Sequence, residues 1–207
     1  MNLVLYNYTR STAAYRVRIA LNYKAIDTVL TDVNLLSGEQ LQSGYRTKNV
    51  QGLVPAIETP QGVLAQSLAI IEWLDESYPE TPSLLPGDAW QRAKIRSLSY
   101  AIACDMHPLN NLRVLKYLTE QLGQTEQVKT SWYHHWLAQG FDKIEAMLEG
   151  DQYSIGDTLT MADLCLIPQV FNARRFDFDL TKYPKIQKIE KHCLAMTCFR
   201  QAKPELS

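Results

Sequence analysis

The sequence predicts an α/β unit with the order βαβαββα over residues 1–80, a linker at about 79–86, and an all-α unit over 87–207. Three observations lead there. Short β-prone runs alternate with helical stripes as far as Tyr78. Pro79, Pro82, Pro86 and Gly87 then crowd into one stretch, and beyond them only long helical patterns follow. The chain has 207 residues, 46% hydrophobic and 21% charged, which suits one large domain or two small ones with enough core to fold unaided. Its 21 basic and 22 acidic residues are dispersed, leaving no electrostatic footprint for a nucleic acid.

Leu3–Tyr6 is the first apolar, β-prone run. Ser11–Tyr23 follows as a helix with Ala13, Val17, Ala20, Leu21 and Lys24 on one stripe and Arg16 and Arg18 off it. Residues 28–33 form a second strand, and 38–45 a polar helix. A third strand spans 53–58, interrupted by Pro55, which supplies no N–H and so belongs at a sheet edge or in a cis geometry. Thr59-Pro60-Gln61-Gly62 is a turn into the strand 63–65. Ser67 then caps a helix to about Glu76 that turns Leu68, Ile71 and Leu74 inward. Helical patterns run through 88–121, 126–149, 160–173 and 184–198. Thr160 and Asp163 read as a capping box before the apolar helix 164–170.

No apolar run approaches the roughly 20 residues that span a bilayer. The opening segment lacks a signal peptide's apolar core and cleavage site, so a cytoplasmic protein without a membrane partner is expected. Cys104, Cys165, Cys193 and Cys198 lie far apart with no C-x-x-C pair and read as buried or half-buried thiols. His134 and His135 splay to different helix faces, and no phosphate-binding glycine motif is present, so metal and nucleotide chemistry are not expected.

The turn Tyr8-Thr9-Arg10-Ser11-Thr12 is the informative place. A helix start carries unpaired N–H groups and partial positive charge, and two hydroxyls stand there, so the turn suits an anion; local sequence alone favours Ser11 or Thr12 as an ordinary N-cap. The backbone of Val54, beside Pro55, is free to pair with a peptide-like ligand, and Gln66-Ser67 opens the next helix with further donors.

The run Arg10-Ser11-Thr12-Ala13-Ala14-Tyr15-Arg16-Val17-Arg18-Ile19-Ala20-Leu21 resembles the R-S-S-C-x-x-R-V-R-I-A-L signature of zeta-class glutathione transferases, the family that includes maleylacetoacetate isomerase. Val54-Pro55, Gln66 to Glu72, Pro108 to Leu112, Thr160 to Leu166 and Asn172 to Phe176 resemble further blocks of that family, in order. The resemblance implies a thioredoxin-like N-terminal domain, an all-α helical C-terminal domain (the glutathione transferase fold), and a homodimer.

It also implies glutathione as cofactor, a small cis-diacid as substrate, and isomerisation of maleylacetoacetate by reversible thiolate addition, with glutathione transferase side activity. Maleylpyruvate isomerase, a general zeta-type transferase and a non-catalytic binding module stand as alternatives. By resemblance Ser11 donates to the glutathione sulfur and Thr12 keeps a hydroxyl near it. Ala13 replaces the signature cysteine, a departure that bears on substrate identity. Gln40, the Val54-Pro55 backbone, Gln66 and Ser67 hold the tripeptide, with His107, Asn111, Leu112 and Arg113 near it from the helical domain. Arg175, with Arg10, takes a substrate carboxylate, while Arg174 is expected to be a solvated charge. Several other classes of the superfamily use an N-terminal tyrosine, which makes Tyr6 and Tyr8 rivals of Ser11.

Overall fold

The computed structural model describes residues 3–205, so the outermost residues of the expected domains, 1–2 and 206–207, lie outside it. The chain divides into two compact units. One runs to Pro86 and regains the chain from Leu194 onward; the other is Gly87–Cys193.

The first unit is built on a four-stranded sheet in the order β2-β1-β3-β4. β1 (Leu3–Asn7) pairs in parallel with β2 (Thr28–Asp32) and antiparallel with β3 (Ala56–Thr59), which pairs antiparallel with β4 (Gly62–Ala65). Pro55 stands just before β3, outside the hydrogen-bonded ladder, and the Val54-Pro55 bond is cis. The expected polar helix at 38–45 divides into a 3-10 turn, Glu39–Leu41, and a single α-turn, α2 (Ser43–Arg46). At the following bend Gly52 has φ +60°, and a Cβ there would come 3.0 Å from the Gln40 carbonyl oxygen, so the close approach of the two segments needs glycine.

Helix α1 (Thr12–Tyr23) departs from its predicted stripe. It is buried almost all round, and Arg16 (2% exposed) and Arg18 (8%) are inside it rather than in solvent. The cause is the end of the chain: α9 (Thr197–Ala202) packs on α1, while α3 (Ser67–Ser77) covers another side. The last residues therefore belong with the first unit and not with the helical one, because Tyr15 OH, Arg18 Nε and Asn22 Nδ2 donate to the carbonyls of Phe199, Ala202 and Cys198. Lys24 closes the same helix inside a buried ion pair with Asp75 at 2.8 Å, its remaining donors going to Thr81 Oγ1 and the Pro82 carbonyl. In α3 the N-cap is Gln66 rather than Ser67, and Ile70 replaces Leu68 on the buried face with Ile71 and Leu74.

The second unit contains only helices among its described residues. The pattern 88–121 is broken where one helix was expected. α4 (Ala89–Tyr100) widens into a π-turn at Ala101–Met106 and tightens into a 3-10 turn at His107–Asn110, where Pro108 has no N–H to continue an α-ladder. Asn111 then caps the short α5 (Leu112–Lys116), which ends in a second π-turn, Tyr117–Gln121. α6 (Glu126–Met147), α7 (Met161–Arg175) and α8 (Pro184–Ala195) follow. The capping box is present: buried Asp163 accepts from Thr160 N–H at 2.9 Å and Thr160 Oγ1 at 3.1 Å, and takes a third bond from Ser154 N–H at 2.6 Å. Three cysteines are buried, but Cys104, on the widened turn, is exposed.

Candidate active site

Strand register brings the predicted residues of the first unit to one edge of the sheet. Tyr6 of β1 faces Ala56 of β3, and Ala56 faces Ala65 of β4. Because β1 and β4 end at this row and β3 begins there, the loop to Ser11, the Val54-Pro55 bond and the Gln66-Ser67 corner all emerge within a few residues of it. Parallel β2 ends on the same side, with Asn7 facing Asp32, and its continuation leads to Gln40. Tyr8 packs with Val54 in a small cluster around Val33 and Tyr45, which ties the first loop to the second.

At the start of α1, Ser11 Oγ accepts from Ala14 N–H at 3.2 Å, Ser11 C=O accepts from Tyr15 N–H at 2.8 Å, and Ser11 N–H donates to the Tyr8 carbonyl at 2.8 Å. Ser11 is thus an N-cap. The two readings of this residue are compatible, since capping uses an oxygen lone pair and leaves the O–H proton free to donate. Among the described residues the N–H groups of Thr12 and Ala13 have no backbone partner, so the helix start keeps two donors open beside that hydroxyl.

The corner before α3 has similar character. Gln66 lies at φ 74°, ψ 114°, a region that residues with a Cβ rarely occupy, and its Nε2 donates to Gln51 Oε1 at 2.8 Å. The N–H groups of Ser67, Leu68 and Ala69 are unpaired by backbone among the described residues. Ser67 Oγ accepts from Arg16 Nη1 at 3.2 Å, so this hydroxyl also keeps its proton for an outside acceptor. Val54 N–H and C=O make no hydrogen bond among the described residues, whereas the neighbouring Leu53 carbonyl accepts from Tyr45 OH (2.7 Å) and Asn49 Nδ2 (2.8 Å). Gln40 Oε1 is buried and unpaired. Open N–H donors at two helix starts, a residue with both backbone groups free before the cis proline and an orphaned amide oxygen match a short peptide with a carboxylate and a thiolate. The residues present therefore fit glutathione.

Tyr6 is committed elsewhere. Its hydroxyl donates to Glu58 Oε2 at 2.5 Å, Lys48 pairs with the same oxygen at 3.0 Å, and burial followed by the bond to Glu58 moves the phenol above its ordinary value. A phenol so held is a poor donor to a thiolate. Two residues that periodicity misread also bear on the site: Arg16 supports Ser67, and Arg18 Nη2 donates to the Thr9 carbonyl at 3.0 Å. Their signal in the sequence is a pair of arginines on an otherwise apolar helix with no acid one turn away.

In the second unit the expected residues are spread over three segments. His107 is half-buried in the 3-10 turn. Asn111 spends its Oδ1 on the N–H groups of Arg113 (3.1 Å) and Val114 (3.3 Å), so its carbonyl oxygen serves as a cap. Leu112 and Arg113 are exposed on α5. At the end of α7 the neighbouring arginines diverge. Arg174 is exposed, as expected, but its charge is paired: its Nε and Nη2 grip the buried carboxylate of Glu190 at 2.8 and 2.5 Å, locking α7 to α8. Arg175 makes only a long bond to Asn172 Oδ1, 3.3 Å, with its guanidinium carbon 5.9 Å from the Phe176 ring centre, and no ion pair among the described residues.

Comparison with known proteins gives this geometry a family. Residues 5–82 match the glutathione S-transferase N-terminal domain and residues 134–196 the C-terminal domain. A maleylpyruvate isomerase of a Ralstonia species is 46% identical, over 97% of this chain and 96% of that one; a probable maleylacetoacetate isomerase of Vibrio cholerae is 44% identical, over 99% and 97%. A solved holo maleylpyruvate isomerase, described as a bacterial zeta-class glutathione S-transferase, superposes with a TM-score of 0.94 at 46% identity, covering 97% of this chain and 96% of that chain. The chain belongs to the zeta-class glutathione transferases. Both units match that family's fold, a mixed α/β sheet domain and a helical domain, as the signature around Ser11 implies. Among zeta-class chains this one carries Ala13 in place of the signature cysteine. Among the described residues no helix is long and apolar enough to cross a membrane, and no group of three or more His, Cys, Asp or Glu side chains is placed to hold a metal ion.

Proposed function

We propose that this chain is a glutathione-dependent cis–trans isomerase that converts maleylacetoacetate to fumarylacetoacetate, with glutathione transferase activity as a side reaction. The observation that carries the reading is the start of α1: Ser11 Oγ is held as an acceptor, its proton is left to donate, and two open N–H groups stand beside it. Glutathione, when bound, supplies a thiolate that adds reversibly to the conjugated double bond, making it single long enough to rotate.

The chain's own residues hold and orient. Ser11 O–H donates to the sulfur, and the helix start favours its negative charge, with the Thr12 hydroxyl close by. Val54 pairs its free N–H and C=O with the cysteinyl unit, Pro55 keeps that segment out of the sheet ladder, Gln66 and Ser67 take the γ-glutamyl end, and Gln40 meets the remaining backbone. His107, Asn111, Leu112 and Arg113 are assigned to the tripeptide from the helical domain on the resemblance. Arg175, with Arg10, takes a substrate carboxylate; with no acid paired to it, Arg175 has a planar fork to offer.

Maleylpyruvate is the second reading, favoured by Ala13, whose methyl removes a polar contact and opens the pocket. Initial rates with maleylacetone and maleylpyruvate, with and without glutathione, decide. Turnover that requires glutathione supports the isomerase, and the larger kcat/KM names the substrate; conversion of both without glutathione, or of neither with it, sinks the reading. A homodimer in the cytoplasm accompanies the family resemblance. Solution mass tests the homodimer.

A further inference from the structure

We propose that Arg18 is a positioning residue for the Ser11 hydroxyl: its guanidinium holds the Thr9 carbonyl, two residues before Ser11, and ties that loop to the end of α9. The inference rests on the role given to Ser11 above.

Three donors of one buried guanidinium point three ways. Nη2 donates to the Thr9 carbonyl (3.0 Å), Nη1 to Asn7 Oδ1 (2.6 Å) and Nε to the Ala202 carbonyl in the last turn of α9 (3.0 Å). Among the described residues no carboxylate pairs with it. The nearest route to a counter-charge is through Asn7, whose Nδ2 donates to Asp32 Oδ1 at 2.9 Å. Burial lowers the Arg18 pKa to about 10, which still leaves it charged at neutral pH. An apolar side chain would pack α9 against α1 without burying a cation, so packing alone does not explain a guanidinium here. What it does that an apolar residue cannot is fix two carbonyls and an amide at set distances.

The bonds around Ser11 show why that matters. Ser11 N–H to Tyr8, Ala14 N–H to Ser11 Oγ and Tyr15 N–H to Ser11 C=O are all local to the turn. They fix Ser11 relative to its own helix, but a turn closed by the Ser11-to-Tyr8 bond can keep that bond with its central Thr9-Arg10 peptide in either of two flipped orientations. The Arg18 bond to Thr9 restrains that peptide from outside the turn, and the bond to Asn7 fixes the last residue of β1 from the same atom group. A displacement of about 1 Å at a reacting group is worth on the order of a hundredfold in rate.

The test uses the full chain with Arg18→Lys, Arg18→Met and Asn22→Ala. Asn22 Nδ2 donates to the Cys198 carbonyl at 3.2 Å, so its loss weakens α1 against α9 without touching the loop. Two quantities are read: amide hydrogen exchange at Ser11, and the midpoint of the ultraviolet thiolate titration with glutathione bound. Arg18→Met should speed Ser11 exchange on the order of tenfold and raise the thiol midpoint by about one unit. Arg18→Lys, which cannot reach all three acceptors, should fall between it and the unsubstituted chain. Asn22→Ala should lower the melting temperature and move neither quantity. Should Arg18→Met fail to fold, Arg18→Lys decides alone. A folded Arg18→Lys with both readings unchanged overturns the proposal, as does Asn22→Ala moving them equally. Exchange needs no ligand, so a chain that binds no glutathione contradicts the proposed function while the exchange comparison still judges Arg18.

Discussion

Replacing Ser11 by alanine removes two things at once, and the structure tells them apart. The first is the cap: Ala14 N–H loses its acceptor at 3.2 Å, which costs about 1 kcal/mol of stability. The second is the proton donated to the sulfur. A thiol with an ordinary pKa of about 8.5 is only about 3% ionised at pH 7, and lowering it by about two units takes about 2.7 kcal/mol. A hydrogen bond to a charged partner supplies about 1.5–3 kcal/mol, and the helix start about 0.3–1 kcal/mol more. Losing the hydroxyl should therefore raise the bound thiol by about one to two units and cut kcat/KM at pH 7 by about 3- to 25-fold, with the deficit closing as pH rises past the new midpoint. Ser11→Asp separates the two effects. Aspartate is a good N-cap, so stability should be retained, but its charge repels the thiolate and turnover should fall below that of Ser11→Ala. The assay is the acid limb of the pH profile of kcat/KM, measured beside urea midpoints. An acid limb at the same pH in all three proteins would refute the reasoning, since Ser11 would then be a cap and nothing more.

Tyr6→Phe should leave that acid limb in place, because the phenol is spent on Glu58; a shift toward alkaline pH would reinstate tyrosine as the activator. Arg175→Lys should lower kcat/KM for the diacid by about 10- to 100-fold through loss of the two-pronged carboxylate grip, with glutathione affinity unchanged by titration calorimetry. For Asp75, burial acts to raise the pKa, but bonds from Lys24, Leu84 N–H and Ser83 outweigh it, and the net shift is downward. A lowered carboxylate stabilises the fold above its unfolded value of about 4 and loses that contribution as pH falls through the folded value. Asp75→Asn should thus be less stable by about 3 kcal/mol at neutral pH, with the gap narrowing in acid. Urea midpoints that differ equally at pH 7 and pH 3 would contradict it.

The order of elements in the first unit was legible because its strands and helices alternate with clear turn signals, and the Ser11 helix start declared itself through local chemistry. What periodicity could not see was long range. Arg16 and Arg18 count as outward-facing charges until α3 brings Ser67 to the first and α9, some 180 positions later, brings the Ala202 carbonyl to the second. The break of 88–121 came from Pro108 and Asn111 acting together, although each alone is tolerated near a helix end. Arg174 and Arg175 differ by one residue in sequence but by a buried acid in space, and only Glu190 on the next helix decides which of them is committed. What counts against Tyr6 as a rival of Ser11 likewise came from across the sheet, where Glu58 of β3 accepts from its hydroxyl.

The most direct measurement is a spectrophotometric titration of the glutathione thiol bound to the unsubstituted chain. The account predicts a midpoint about two units below that of free glutathione, near pH 6.5. A midpoint equal to that of the free tripeptide would contradict it, because the start of α1 would then give the sulfur nothing that water does not.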